Sequence, residues 1–279
     1  MKKKYSASKA HAKATTRRRA AWFQWKRIAK ESKLKKYVEE NLYDDHSPEE
    51  IAGRLKNVDK HLPYTSKDSI YRYLKSVHGR KLEAYRTKRK TRKRRRRTKV
   101  AKLEDRVFID KRPRIINDRK RVGDVEADFI VSGKSGKGIL LTVVDRKLRI
   151  VFIEKILPVS IKNVHAAFER IKQRFPEMKT ISTDNDILLQ KHRELGVLLG
   201  IQIYFCHPYH SWEKGSNENA NGHIRKYIPK GSDISFYSKS FIKKVADKLN
   251  SRFLKCLRFY TPTEVLKKHR KRKKRLRAW

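Results

Sequence analysis

Two dense runs of lysine and arginine decide which parts of this chain can join a hydrophobic core. Lys or Arg makes up 11 of the 14 residues at 86–99 and 9 of the 11 residues at 267–277. Like charges at this density repel one another, so we expect both runs to be extended or disordered without a partner. The apolar residues of any core must therefore come from the segments outside these two runs.

The excess of positive charge also lies outside the middle of the chain. The 279 residues include 74 basic and 29 acidic side chains, a formal net charge of +45. Residues 1–100 carry 33 basic and 10 acidic side chains, whereas residues 122–206 carry 13 and 10. Such an excess needs a polyanion as partner, and nucleic acid is the first candidate, with an anionic membrane surface or a ribosome as alternatives. We predict basic arms around a nearly neutral central domain.

Other features exclude several classes of protein. No run approaches about 18 consecutive apolar residues, so no membrane span is predicted, and no apolar stretch follows the basic N-terminus as in a secretory signal. Two cysteines, Cys206 and Cys256, exclude a disulfide scaffold and a four-cysteine zinc site. His207, His210 and His223 lie close to Cys206, but their spacing fits no established zinc pattern. We predict a cytoplasmic, nucleoid-associated protein without a membrane partner.

Residues 1–85 are predicted to form a helical DNA-binding region. Ser47 followed by Pro48 and two glutamates is typical of a helix start, and Ser66 can cap a second helix. The unit at 47–75 favours a helix-turn-helix, although its connecting loop is long and a plain helical hairpin fits nearly as well. The second helix would enter a major groove, where its arginine can grip a guanine edge or a phosphate. Its candidate DNA contacts are Lys67, Asp68, Tyr71 and Arg72.

The central segment alternates strands and helices. Strands are predicted at 125–131, 138–145, 149–156, 179–184 and 201–206, and helices at 160–175, 186–199 and 215–227. This order, with a mixed five-stranded sheet, is that of an α/β ribonuclease H-like domain. We predict that this domain spans 122–266, between a basic linker at 86–121 and a basic tail at 267–279.

Three acids fall at special places in that predicted fold. Asp128 lies in the first strand, Asp184 at the C-terminal end of the fourth, and Glu218 near the start of the last helix. If these elements are neighbours the carboxylates converge, and such acids repel one another unless a cation neutralises them. Oxygen ligands select Mg²⁺ or Mn²⁺, and two such ions can promote phosphodiester transfer. The alternative is three unrelated surface acids. Glu126 shares a face with Asp128, and we assign it a supporting or structural role.

Four further polar residues surround the third acid and are candidate DNA contacts. An asparagine at the first turn of a helix can cap that helix or touch phosphate and base. Arg225 lies seven residues after Glu218, two turns along the same face, where it holds DNA near the metals or is an ordinary surface base. The four candidates are Asn217, Asn221, Arg225 and, more weakly, Lys226.

Several segments closely resemble the insertion sequence 30 family of bacterial DDE transposases. The most specific is YFCHPYHSWEKGSNENANGHIRKYIPKGSD at 204–233. The others are TDND at 183–186, VGDVEADFI at 122–130, TPTEVL at 261–266, SPEEIAGRL at 47–55 and SIYRYL at 69–74. The resemblance covers residues from about 40 to 266. It implies a ribonuclease H-like, integrase-type catalytic core and metal-dependent DNA cleavage and strand transfer, with Asp128, Asp184 and Glu218 at the family's three acid positions.

The resemblance also implies partners. These are double-stranded DNA, as transposon ends and as target, two Mg²⁺ or Mn²⁺ ions, and further copies of the chain in a homo-oligomer on DNA. Family members usually begin with a further helix-turn-helix, and this chain is expected to lack it. One alternative is a DNA-binding protein or repressor derived from a transposase, without catalysis. Another alternative is an architectural nucleic-acid-binding protein or an RNA-binding protein. The net positive charge alone favours it, but it leaves the three acids unexplained.

Overall fold

The structure is a computed structural model that describes residues 6–87, 106–133, 135–207 and 210–277. These residues form two compact units, one of residues 6–87 with 253–260 and one of residues 106–252 with 261–277. The basic run at 86–99 lies outside the described residues from position 88 onward. The predicted domain boundaries stay predictions. In the described ranges, no helix combines the length and the apolar composition that crossing a membrane requires.

Five α-helices build most of the first unit. They are α1 Ala7–Lys30, α2 Ser32–Tyr43, α3 Pro48–Asn57, α4 Lys67–Lys75 and α5 Arg80–Thr87. Each of α2, α3 and α4 has apolar residues spaced three or four apart, which places them on one buried face. The buried set includes Ile28, Leu34, Val38, Leu42, Ile51, Leu55, Ile70, Tyr73, Leu74 and Leu82.

Both predicted helix starts in this unit are confirmed. The Ser47 hydroxyl accepts from the Glu50 backbone N–H at 3.2 Å, and the Glu50 carboxylate accepts from the Ser47 N–H at 2.7 Å. This reciprocal capping satisfies two donors that the first turn of α3 leaves unpaired. Ser66 accepts from the Ser69 N–H at 3.2 Å and starts α4 in a similar way. On α4, the candidate DNA contacts are all exposed: Lys67, Asp68, Tyr71 and Arg72.

A central sheet and its helices build the second unit. The strands are β1 Asp124–Val131, β2 Ile139–Asp145, β3 Val151–Ile156, β4 Thr180–Thr183 and β5 Gln202–Phe205. The helices are α6 Arg114–Asn117, α7 Ile161–Arg174, α8 His192–Leu199, α9 Gly215–Ile224, α10 Lys239–Asn250 and α11 Pro262–Arg277. The strand order is β3-β2-β1-β4-β5, with β1 antiparallel to β2, β2 antiparallel to β3, and β1, β4 and β5 parallel. The predicted mixed, ribonuclease H-like sheet is confirmed.

Strand β1 lies at the centre of this sheet and has a core on each side. Val125 and Ala127 pack in the cluster that includes Phe168 of α7, whereas Ile130 packs in the cluster that includes Ile224 of α9. Successive side chains of a strand point to opposite faces. The two acids at alternate positions 126 and 128 therefore share the face that α9 covers.

The C-terminal basic run is helical, which corrects the expectation of an extended or disordered segment. Thr261 and Glu264 form a reciprocal capping box at the start of α11, with hydrogen bonds of 2.8 and 3.1 Å. Leu266 is buried in the main core, and Arg270 makes two hydrogen bonds to Glu177 at 2.9 and 3.0 Å. These local contacts offset the repulsion among the basic side chains, and they depend on Glu177 and on a core that the composition of the run does not reveal.

Candidate active site at the centre of the sheet

Asp128 lies on β1 and faces α9, and three groups donate to its carboxylate. Asn221 Nδ2 donates to Oδ2 at 2.7 Å, while Lys214 Nζ and the Phe129 N–H donate to Oδ1 at 3.2 and 3.0 Å. Burial raises the pKa of Asp128; the Lys214 ammonium opposes that rise, and the carboxylate of Asp184 adds to it. The carboxylate is therefore held in place by donors from α9, from the turn before it and from its own strand.

Asp184 follows the C-terminal end of β4, the parallel neighbour of β1. Its Oδ2 lies 3.0 Å from Lys214 Nζ, and its Oδ1 is buried and has no hydrogen-bond partner among the described residues. Since one ammonium contacts both carboxylates, the two contacting oxygens are no more than about 6 Å apart. The sheet thus brings Asp128 and Asp184 together, as the strand order predicts.

Lys214 is a site residue that the sequence analysis did not identify. Its side chain is 8% exposed and ends the short 3₁₀ turn Ser211–Lys214 that precedes α9. Burial by itself lowers the pKa of Lys214, but the carboxylates of Asp128 and Asp184 outweigh this effect, so the pKa is raised. Lys214 is therefore a buried cation between two acids. The sequence offers a weak signal for it, since paired buried carboxylates need a counter-charge and Lys214 lies four residues before Glu218.

Glu218 is exposed on the first turn of α9. It lies three residues before Asn221, which donates to Asp128, and residues three apart share one helix face. Among the residues that the structure describes, the acids do not form a group of three with ligand atoms within 4.8 Å of one another. The structure therefore brings two of the three predicted acids together through Lys214 and directs the helix that carries the third toward them.

Glu126, on β1, accepts hydrogen bonds from the first turn of α9. The side chain is fully buried, and its Oε2 accepts from the backbone N–H groups of Ser216 and Asn217 at 2.9 and 3.0 Å. Arg146, also buried, lies 3.5 Å from the other carboxylate oxygen. An anion at a helix N-terminus satisfies unpaired N–H groups and interacts favourably with the helix dipole. Glu126 therefore positions the helix that bears Glu218.

The predicted DNA contact at Asn217 needs correction. Asn217 is fully buried, its Oδ1 accepts from Thr142 Oγ1 at 3.1 Å, and its Nδ2 donates to the Thr142 carbonyl at 3.3 Å. Both ends of the amide are thus used to join α9 to β2. The side chain has a structural role and is unavailable to DNA.

The other polar candidates around α9 differ in exposure. Asn221 is half-buried, and its amide nitrogen orients Asp128. Arg225 is half-buried and donates to the Pro229 carbonyl at 3.3 Å; burial lowers its pKa, an effect that the charge of Asp128 opposes. Lys226 is exposed. Arg225 and Lys226 therefore remain candidates for DNA contact, whereas Asn221 has a direct partner among the acids.

The donor set at this site fits a hard divalent cation. Two carboxylates already share one cationic group, and one of their oxygens is buried and unpaired within the part of the chain that the structure describes. Carboxylate oxygens are the ligands that Mg²⁺ and Mn²⁺ prefer. Asp128 and Asp184 would hold such an ion, with Glu218 as a third carboxylate from α9.

Comparison with curated proteins finds similar chains among transposases. The chain is 38% identical over 244 residues to the transposase for insertion sequence element IS4351 of Bacteroides fragilis, a match that covers 84% of this chain and 73% of the relative. It is 33% identical over 232 residues to the transposase for IS1086 of Cupriavidus metallidurans, covering 79% and 68%. It is 32% identical over 252 residues to transposase InsI for IS30A of Escherichia coli, covering 84% of this chain and 64% of the relative.

Other comparisons add less. No protein-family model matches the chain. Among solved structures, the catalytic core domain of BIV integrase superposes with a TM-score of 0.41 and 17% identity, covering 54% of this chain and 97% of that one. We assign the fold class from the strand order of the sheet and not from this similarity.

Proposed function

Since the chain belongs to the insertion sequence 30 family of bacterial DDE transposases, we propose that Asp128, Asp184 and Glu218 are the acids with which it cleaves and joins DNA strands. The observation that carries the proposal is the single ammonium of Lys214 between Asp128 and Asp184, which marks a cation site where two neighbouring strands meet. A transposase is a polynucleotidyl transferase, so the expected substrate is the phosphodiester backbone of DNA.

Each part of the site has a role in this chemistry. A divalent ion, when bound, supplies the Lewis acidity that activates a hydroxyl and stabilises a leaving oxygen in phosphodiester transfer. Asp128 and Asp184 would hold that ion, and Glu218 would complete the ligand set from α9. Asn221 keeps the Asp128 carboxylate oriented through its 2.7 Å hydrogen bond. Glu126 holds the first turn of α9, so that Glu218 is presented to the acids on the sheet.

The proposal is tested by strand cleavage on labelled duplexes taken from the DNA that flanks the coding sequence. We expect nicked or cleaved products with Mg²⁺ or Mn²⁺ and none after treatment with EDTA. Glu218→Gln should lower the cleavage rate by about a hundredfold or more, because the loss of one group that stabilises transition-state charge is typically of this size. Product formation is followed on denaturing gels.

A matched control comes from an exposed glutamate of the same unit. Glu194 on α8 pairs with Lys191 at the surface, and Glu194→Gln should cleave like the wild type. Cleavage that persists in EDTA would refute metal-dependent catalysis, and wild-type cleavage by Glu218→Gln would remove Glu218 from the ligand set. DNA binding without cleavage under every metal condition would favour the alternative of a non-catalytic DNA-binding protein, which no observation of the described residues supports at present.

The helical unit is proposed to read DNA through the outer face of α4. Three polar side chains are exposed there, Lys67, Tyr71 and Arg72, while the opposite face is buried. Among these side chains, only arginine has a guanidinium group that can donate two hydrogen bonds to the two acceptors of a guanine edge. Transposon ends and target DNA are both proposed as ligands, and a homo-oligomer on DNA stays a prediction.

Arg72→Ala distinguishes base reading from backbone contact. If Arg72 grips a guanine, the variant should lose about 1–3 kcal/mol at one base position and relax specificity there. If it contacts a phosphate, all sequences should weaken alike, with a smaller dependence on salt. The measurement is selection from randomised duplexes at fixed salt, with Lys75→Ala on the same helix as comparison. A variant with unchanged affinity and specificity would exclude Arg72 from the DNA interface.

A further inference from the structure

A second group of ligand-type side chains lies in the segment between β5 and α9. His207, His210 and Glu213 have ligand atoms within 4.8 Å of one another. Glu213 Oε1 is 3.1 Å from His207 Nδ1 and 3.3 Å from His210 Nδ1. Two imidazole nitrogens thus point at one carboxylate oxygen, and no step of the proposed cleavage reaction uses them.

The separations between these atoms match those of ligands around one zinc ion. Zn–N and Zn–O bonds of about 2.0–2.1 Å place two ligands of a tetrahedron about 3.3 Å apart. The two distances to Glu213 Oε1 are of this size. The other oxygen, Oε2, is already engaged by the His207 backbone N–H at 2.9 Å, so the carboxylate presents a single oxygen to the rings.

The surroundings of His207 also suit a metal ligand. Its Nε2 lies 2.8 Å from Asp110 Oδ2, and its ring stacks on Phe108 with centroids 5.2 Å apart. A carboxylate that accepts from the outer nitrogen of a histidine fixes the tautomer whose inner nitrogen is free to bind metal. Suppose that Nε2 carries the proton that Asp110 accepts and that no metal is bound. Nδ1 must then also be protonated to donate to Glu213, and the ring is a cation. A metal ion satisfies the same arrangement with a neutral ring.

We infer that His207, His210 and Glu213 form a zinc site separate from the catalytic acids. Imidazole nitrogens favour Zn²⁺ over Mg²⁺, and three protein ligands leave one position for water. The side chains of His207 and His210 are 30% and 43% exposed, so an ion can reach them from solvent. Glu213 directly precedes Lys214, so zinc bound here would restrict the motion of the turn Ser211–Lys214 that leads into α9.

The test is zinc binding by the full-length chain, purified without a histidine tag. We expect stoichiometric zinc by elemental analysis, and a visible absorption spectrum typical of tetrahedral coordination when Co²⁺ replaces it. His210→Ala and Glu213→Gln should each weaken zinc binding by about a hundredfold or more in competition with a chromogenic chelator, and Asp110→Asn by about 10–100-fold. His210 is partly exposed, so its replacement is compatible with folding even if that of Glu213 is not.

Two controls separate this site from the catalytic one. Asp184→Asn should keep its zinc, and so should His61→Ala, which removes an exposed histidine of the helical unit. A wild-type chain that retains no zinc would overturn the inference, as would His210→Ala with wild-type affinity. Loss of zinc in Asp184→Asn would assign the ion to the catalytic acids instead. Failure of cleavage with zinc retained would count against the proposed function and not against this site.

Discussion

Asp128→Asn and Asp184→Asn are each expected to lower DNA strand cleavage by about a thousandfold, which corresponds to about 4 kcal/mol of transition-state stabilisation. Each variant replaces a carboxylate oxygen that we propose as a metal ligand by an amide, so the affinity for a divalent ion should fall. DNA affinity should change little, because phosphate contacts come from basic side chains elsewhere. Single-turnover cleavage and filter binding on the same duplex measure the two effects separately. Wild-type cleavage by either variant would show that its acid is not a ligand.

Lys214→Met is the matched variant for this experiment, because it removes the cation and keeps both acids. In the wild type a divalent ion would have to compete with the Lys214 ammonium, which lies 3.2 and 3.0 Å from the two carboxylates. Without that ammonium, Mn²⁺ affinity measured by calorimetry should rise by about tenfold, since opposite charges this close stabilise the metal-free pair. The Asp variants should show the opposite change. Weaker Mn²⁺ binding by Lys214→Met would mean that Lys214 supports the metal and does not compete with it.

The central sheet could be predicted because its signals are local. The alternation of apolar and polar residues along 125–131 predicts that Glu126 and Asp128 share one face, and in the structure both contact α9. The position of Asp184 followed from the strand that precedes it, since parallel neighbours place their C-terminal ends together. The assignment of all three acids to one reaction also depended on the family resemblance, because spacing alone left unrelated surface acids as an alternative.

The remaining site residues depend on contacts between distant segments. In the sequence, nothing distinguishes Lys214 from the many other basic residues. Its role depends on the fold, in which Asp128 on β1 and Asp184 after β4 both contact its ammonium. Asn217 reads as a helix cap or DNA contact, but its amide is paired with Thr142 on a separate strand. The spacing of Cys206, His207, His210 and His223 fits no zinc pattern, and the Glu213 carboxylate meets two of these histidines only through the fold of the segment before α9.

Glu126→Gln is expected to destabilise the sheet unit by about 3 kcal/mol, because removing one partner of a buried ion pair leaves the other charge uncompensated. Arg146 is 5% exposed and lies 3.5 Å from the Glu126 carboxylate, and burial lowers its pKa to about 10. The variant also removes the negative charge from the N–H groups of Ser216 and Asn217 at the start of α9. Glutamine preserves the volume of the side chain, so the change reports on charge and not on a cavity.

Hydrogen exchange of the β1 amides measures this effect, because it follows the sheet unit separately from the helical unit. Glu194→Gln is the matched control: its exposed ion pair with Lys191 should contribute less than about 1 kcal/mol. Exchange in the Glu126 variant should accelerate at the first turn of α9 as well as in β1, since the carboxylate joins the two elements. A change below about 1 kcal/mol, equal to that of the control, would mean that the buried network tolerates a neutral group. The helix bearing Glu218 would then be held by packing and by the Asn217–Thr142 pair, and not by the charge of Glu126.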